Sequence, residues 1–92
     1  MGFTLSTPFG PTKIMTVQTN GHTAVVGYQF RIEGGQAEMR FNPNLRVAAS
    51  QSTIGIGALE VAALEVAQLH LRLVGKTFTV TKTAQTFYFD IN

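Results

Sequence analysis

Apolar and polar residues alternate along much of the first half of the chain, and two pairs of turn residues interrupt the alternation. These pairs are Asn20-Gly21 and Gly34-Gly35. Such pairs between alternating segments are typical of two-residue β-hairpin turns, because Asn and Gly adopt positive φ at low cost. The pattern therefore predicts a three-stranded antiparallel meander over residues 13–41.

Counting residue pairs outward from each turn tests whether the two hairpins place the apolar residues on the same face of the sheet. The first turn places Val17 opposite Ala24, and the second places Phe30 opposite Met39. Because side chains alternate between the faces of a strand, the two registers together collect the apolar residues on one face of the sheet. That predicted apolar face holds Met15, Val17, Ala24, Val26, Tyr28, Phe30, Ile32, Ala37, Met39 and Phe41.

The middle of the chain predicts a short strand, a loop and one helix. Residues 45–49 are interpreted as another strand after an Asn-Pro-Asn break, and residues 50–57 as a loop. Residues 58–74 are rich in Ala, Leu and Glu, and they predict a helix closed by Gly75 as its C-cap. The alternation of residues 69–73 also suits a strand, which leaves an earlier helix end open.

Two more alternating segments, residues 76–83 and 86–92, predict strands joined near Ala84-Gln85. The predicted fold class is therefore α+β: an antiparallel β-meander of about four to six strands with one helix packed on the apolar sheet face. A chain of 92 residues is long enough for one compact domain, and we assign residues 1–92 to a single domain.

Charged residues make up only 13% of the chain, against roughly 25% in an average soluble domain. A weakly charged surface does little to keep copies of a protein apart. We therefore expect a homo-oligomer, unless residues 1–12 cover the extra apolar surface in a monomer. The main apolar stripe of the predicted helix holds Leu59, Ala62, Ala63, Val66, Leu69 and Leu73. The predicted interface combines helix residues outside this stripe with aromatic residues of the last strand, which we expect at a sheet edge. These residues are Val61, Leu64, Leu71, Phe87 and Phe89.

The composition excludes several classes of chemistry. No cysteine is present, so disulfides, thiolate metal sites and cysteine nucleophiles are excluded. His22 and His70 lie far apart without metal-ligand spacing, so we expect neither a metal nor a cofactor. The beginning of the chain lacks the features of a signal peptide, and charged residues interrupt the apolar residues 54–74. We therefore expect a cytoplasmic protein with no membrane span.

His70 falls within the apolar stripe of the predicted helix. It is either a proton-transfer group or ligand, or a structural residue near the helix end. Functional histidines are usually oriented by a carboxylate. No Asp or Glu lies three or four residues from His70. We therefore predict a structural role for this residue.

Hydroxyl and glycine residues precede the predicted helix and form the second candidate site. Ser52, Thr53, Gly55 and Gly57 offer hydroxyls and backbone N–H groups that would hold an anion at a helix N-terminus. Their spacing matches neither the dinucleotide-binding fingerprint nor the P-loop. Gly57 as the helix N-cap explains the same residues without a ligand.

Residues for acid–base or nucleophilic catalysis are scarce. The chain has five acidic residues. Glu60 and Glu65 lie on different sides of the predicted helix, and Glu38 is predicted to pair with Arg31 across two strands. No G-x-S-x-G motif marks an activated serine. An enzyme is therefore not favoured.

The leading functional hypothesis is a small non-catalytic interaction or structural module that acts as a homo-oligomer. The runner-up is a module that binds single-stranded or duplex nucleic acid. It is not favoured, because Tyr28, Phe30 and Phe41 lie on the face that the helix should cover and basic residues are sparse on the other face. The third hypothesis is a phosphate-ligand binder or an enzyme that uses residues 50–57.

Overall fold

The computed structural model describes residues 5–91 of the chain, which form five strands and two helices in an α+β arrangement. This confirms the predicted fold class and adds a second helix. In chain order the elements are β1 (Lys13–Thr19), β2 (His22–Glu33), β3 (Gln36–Asn42), α1 (Leu45–Ser52), α2 (Ile56–His70), β4 (Thr79–Lys82) and β5 (Thr86–Asp90).

The first three strands form the predicted meander in the predicted register. Val17 pairs with Ala24 between β1 and β2, and Phe30 pairs with Met39 between β2 and β3. Within the two turns, Gly21 has a φ of 78° and Gly34 a φ of 61°. Both turns therefore use glycine where a side chain would strain the backbone.

The strands have the order β1-β2-β3-β5-β4 in the described sheet. β5 therefore lies inside the sheet, and the prediction that the last strand forms an edge is wrong. α1 and α2 connect β3 to β4, and the chain then returns through β5, which pairs with both β3 and β4. A pairing between distant segments leaves no local pattern in the sequence. The edges of the described sheet are β1 and β4.

Residues 45–52 form α1 instead of the predicted strand at residues 45–49. Asn44 caps the helix, because its Oδ1 accepts a hydrogen bond from the Val47 N–H at 2.9 Å. Leu45 and Ala48, three residues apart, are buried on one side of the helix. The cap contributes about 1 kcal/mol, and with the burial of one face it favours the helix. The predicted loop is reduced to the three residues between α1 and α2.

α2 begins and ends earlier than predicted. Its N-cap is Gly55 and not Gly57, and it ends before Gly75 is reached. Arg72 has a left-handed φ of 57°, which ends the helix and turns Leu73 back into the core. The residues that follow α2 form turns, so the strand interpretation of this segment is wrong as well.

The core lies between the helices and one face of the sheet. On α2, Ala63 and Ala67 are buried together with Leu59, and their small side chains let the helix lie close to the strands. Leu69, which the predicted stripe includes, is exposed. The largest fully buried side chains are Phe87, Phe89, Met39, Leu45, Leu59, Leu73 and Val26.

Residues 5–12 run beside β2 on the side opposite β3. The Gly10 N–H donates to the Phe30 carbonyl at 2.8 Å, and the Ser6 N–H donates to the Glu33 carboxylate at 2.6 Å. Hydrogen bonds from Ser6 lower the pKa of Glu33, so the stability they contribute is present above pH 4.5 and is lost as the pH falls through the folded-state pKa. The described part of the N-terminal segment thus borders β2, and the first four residues lie outside the described residues.

Candidate functional site

The predicted anion-binding residues lie at the junction of α1 and α2. Thr53 has a left-handed φ of 60°, and its Oγ1 lies 2.9 Å from Nδ1 of His22, which begins β2. Gly55 is the N-cap of α2, and no side chain caps this helix. The fold therefore brings His22 to this loop, a contact that the sequence spacing does not predict.

The serine hydroxyl of this junction is bonded to the backbone around it. Ser52 Oγ donates to the Ala48 carbonyl at 2.6 Å and accepts from the Ile54 N–H at 3.3 Å. Gly57 lies within the first turn of α2 and does not cap it. These bonds link the last turn of α1 to the connection before α2, and they engage the hydroxyl within the protein itself.

His70 is the last residue of α2, and its ring stacks on Phe30 of β2. The ring centroids are 4.0 Å apart and the ring planes differ by 3°. Burial lowers the pKa of His70, and the positive charge of Lys13 lowers it further. The neutral imidazole is therefore the form that fits this contact between α2 and the sheet.

Replacing His70 by glutamine is expected to remove part of the pH dependence of stability. Because the folded-state pKa is lowered, the unfolded chain binds the proton more readily. The contribution of neutral His70 to the free energy of unfolding is therefore complete above pH 6.5. It decreases as the pH falls from 6.5 through the folded-state pKa of His70. Urea unfolding between about pH 7.5 and pH 5 measures this decline. His22→Gln is the matched control and should keep it, and an unchanged decline in His70→Gln would contradict the prediction.

The sheet face that the helices leave uncovered carries an aromatic and basic cluster. The ring centroid of Phe9 lies 3.7 Å from the guanidinium carbon of Arg40 and 4.5 Å from that of Arg31. Arg31 binds Glu38 across β2 and β3 at 2.7 Å. Arg40 donates to Gln29 Oε1 at 2.9 Å. Phe9 precedes the strands in a segment rich in Pro and Gly, so periodicity does not place it on this face.

A mostly polar cavity of about 420 Å³ opens beside Arg40. At its lining residue Gly27 a side chain has no room, since a Cβ would lie 2.9 Å from the Asn42 carbonyl oxygen. The turn between β4 and β5 also contributes to the wall, because the Gln85 carbonyl accepts a hydrogen bond from the Phe41 N–H at 2.9 Å. The cavity thus depends on contacts between distant parts of the chain, and no sequence motif predicts it.

The residues of the predicted interface are separated by the fold. Phe87 and Phe89 are fully buried within the chain itself, because β5 is an inner strand. They are therefore not available to a partner copy, which corrects the expectation from the sequence. Leu64 and Leu71 are half-buried and pack against the core, whereas Val61 is 58% exposed.

Exposed apolar surface lies instead beside β1, an open edge of the described sheet. Ile14 on β1 is 66% exposed, and Val25 on β2 is 54% exposed. Both residues lie on the face that the helices leave uncovered, because the buried Met15 and Val26 next to them face the core.

The described residues define a two-layer α+β protein with one antiparallel sheet and two helices on one of its faces. No helix among residues 5–91 is long and apolar enough to cross a membrane. In the same residues, no three His, Asp or Glu side chains come together as a metal site requires. The chain matches no protein-family model, no curated protein and no solved structure.

Proposed function

We propose that the protein is a non-catalytic interaction or structural module that self-associates by pairing β1 with β1 of a second copy. The observation that supports this most is the open edge of β1, with Ile14 and Val25 exposed beside it. An edge strand offers unpaired backbone N–H and C=O groups, which pair readily with another strand.

The sequence of β1 suits pairing with its own copy. A two-fold antiparallel pair centred on Thr16 places Lys13 opposite Thr19 of the second copy. The two lysines are then about six residues apart along the strands, roughly 20 Å, so like charges do not face each other. On the helix side, Met15 lies opposite Val17 of the second copy, which continues the apolar face from one sheet into the next.

The opposite edge of the described sheet is less suited to pairing. β4 has four residues and ends at Lys82, whose Nζ lies 3.6 Å from a carboxylate oxygen of Glu60. Short edge strands that carry lysine are typical of edges protected from pairing. β1 has seven residues and a single charge, at its first residue. A closed dimer is therefore expected, rather than a chain of sheets joined at both edges.

We expect the protein to be a dimer at about 50 µM and the Thr16→Lys protein to be a monomer. Thr16 is exposed and lies on the proposed two-fold axis, so two introduced lysines would face each other at the centre of the pair. Light scattering coupled to size exclusion measures the mass, which is 10.0 kDa for one chain.

Val74→Lys is the matched control for this experiment. Val74 is exposed, as Thr16 is, but it lies in the turn after α2. The control should remain dimeric, and circular dichroism should show the same folded spectrum for both variants. A wild-type mass of 10.0 kDa at about 50 µM would overturn the proposal.

One observation favours a second function, the binding of single-stranded nucleic acid on the uncovered sheet face. Phe9 lies over Arg31 and Arg40, as aromatic and basic residues do on sheets that stack bases. Glu38 neutralises Arg31, so we rank this function below self-association. Titration of labelled single- and double-stranded oligonucleotides at low and moderate salt tests it. Tight, salt-dependent binding that Phe9→Ala abolishes would promote this function.

A further inference from the structure

Arg40 lines the polar cavity and is held in one orientation. Its guanidinium stacks on Phe9 at 3.7 Å, and its Nη2 donates to Gln29 Oε1 at 2.9 Å. Gln29 is itself fixed, because its Nε2 donates to the Gly10 carbonyl at 3.1 Å. The ion pairs of the described residues do not include Arg40, so no carboxylate compensates its charge at the cavity.

Three amide side chains besides Gln29 line the same cavity. Asn44 uses its Oδ1 to cap α1, which leaves its NH₂ group as a donor toward a ligand. Asn42 and Gln85 make no side-chain hydrogen bond within residues 5–91, so each offers both a donor and an acceptor. A fixed cation with neighbouring amides suits an anionic group attached to a hydrogen-bonding body.

We propose that this cavity binds a small organic anion. The carboxylate or phosphate of the ligand accepts hydrogen bonds from Arg40, whose planar fork matches both groups, and from the Asn44 amide. The uncharged body of the ligand contacts Asn42 and Gln85. The volume of about 420 Å³ lies within the range of small-molecule sites, roughly 300–1,000 Å³. Binding here does not depend on pairing through β1.

Two pairs of probes distinguish phosphate from carboxylate as the anion. Adenosine monophosphate and adenosine differ by the phosphate, whereas N-acetylglycine and N-acetylglycinamide differ by the charge of the carboxylate. We expect the anionic member of at least one pair, at about 1–10 mM, to shift the side-chain amide resonances of Asn42, Asn44 and Gln85 in NMR spectra. The neutral member should shift them far less, and the pair that responds identifies the anion.

Arg40→Gln is expected to weaken this binding by about tenfold or more, because it removes the charge and the planar fork. Arg40→Lys restores the charge alone and should recover only part of the affinity. Gln85→Ala leaves Arg40 and the backbone bond to Phe41 in place, and it should weaken binding severalfold in a folded protein. Arg72→Gln is the matched control and should bind as the wild type does. Absence of a shift with both anions, or equal losses for Arg40→Gln and Arg72→Gln, would overturn the proposal.

Discussion

Replacement of Phe89 by alanine is expected to lower the free energy of unfolding by about 3–5 kcal/mol. Phe89 is fully buried, and its ring centroid lies 6.4 Å from that of Phe87 and 6.1 Å from that of Phe78. Alanine would leave a cavity among these rings that the surrounding strands and helix only partly fill. Because small domains have a total stability of about 5–15 kcal/mol, this loss is a large part of the whole. Urea unfolding followed by circular dichroism measures it.

Val61→Ala is the matched control for the Phe89 substitution. Val61 is 58% exposed on α2, so its truncation is expected to change the free energy of unfolding by less than about 0.5 kcal/mol. The comparison separates the loss of a buried core side chain from the loss of an exposed one. A Phe89→Ala protein that kept the stability of the wild type would contradict the core assignment.

The part of the fold that the sequence predicts is the part that neighbouring residues determine. Asn20-Gly21 and Gly34-Gly35 set the two turns, and the alternation beside them sets the faces of the strands. Register, the apolar face and the pairing of Arg31 with Glu38 then follow from counting outward, and the structure confirms them. Local turn chemistry and side-chain alternation agree here, so no distant contact is needed to fix this part of the fold.

The parts that the sequence does not predict depend on contacts between distant residues. α1 has eight residues, too few for a clear helical period, and forms where Asn44 caps it and Ala48 packs against the sheet. The aromatic residues of β5 suit an exposed edge or an inner strand equally well. Its place in the sheet is decided by pairing with β3, more than 40 residues earlier in the chain.

The candidate sites follow the same division. The hydroxyls and glycines at residues 52–57 can be identified as a candidate site from the sequence, because a helix N-terminus has a local sequence pattern. The polar cavity combines Gln29, Arg40, Asn44 and Gln85 from two strands and two connections, and amide residues have no spacing motif of their own. The exposed apolar surface next to β1 can be located only when the order of the strands in the sheet is known.

Replacement of Arg31 by methionine is expected to lower the free energy of unfolding by about 2–4 kcal/mol. Glu38 is only 7% exposed, and Nε and Nη2 of Arg31 both lie 2.7 Å from its Oε1. Methionine keeps much of the apolar stem but removes the guanidinium, which leaves a buried carboxylate without a cation beside it. This loss of stability is at the lower end of the losses found when buried ion pairs are broken, because the Arg31 side chain is 26% exposed and water reaches this end of the pair.

Substitutions at Glu38 separate the cost of leaving a buried carboxylate unpaired from the loss of attraction between the two charges. Glu38→Gln is expected to cost only about 1 kcal/mol, since the amide still accepts a hydrogen bond and Arg31 still reaches water. The double variant Arg31→Met/Glu38→Met should recover most of the loss, because no buried charge remains unpaired. Arg72→Met, at an exposed arginine outside the ion pairs of the described residues, is the control and should change stability by less than about 0.5 kcal/mol. If urea unfolding gave Arg31→Met the same small cost as this control, Glu38 would be solvated in the folded protein, and the pair would act as a screened surface contact.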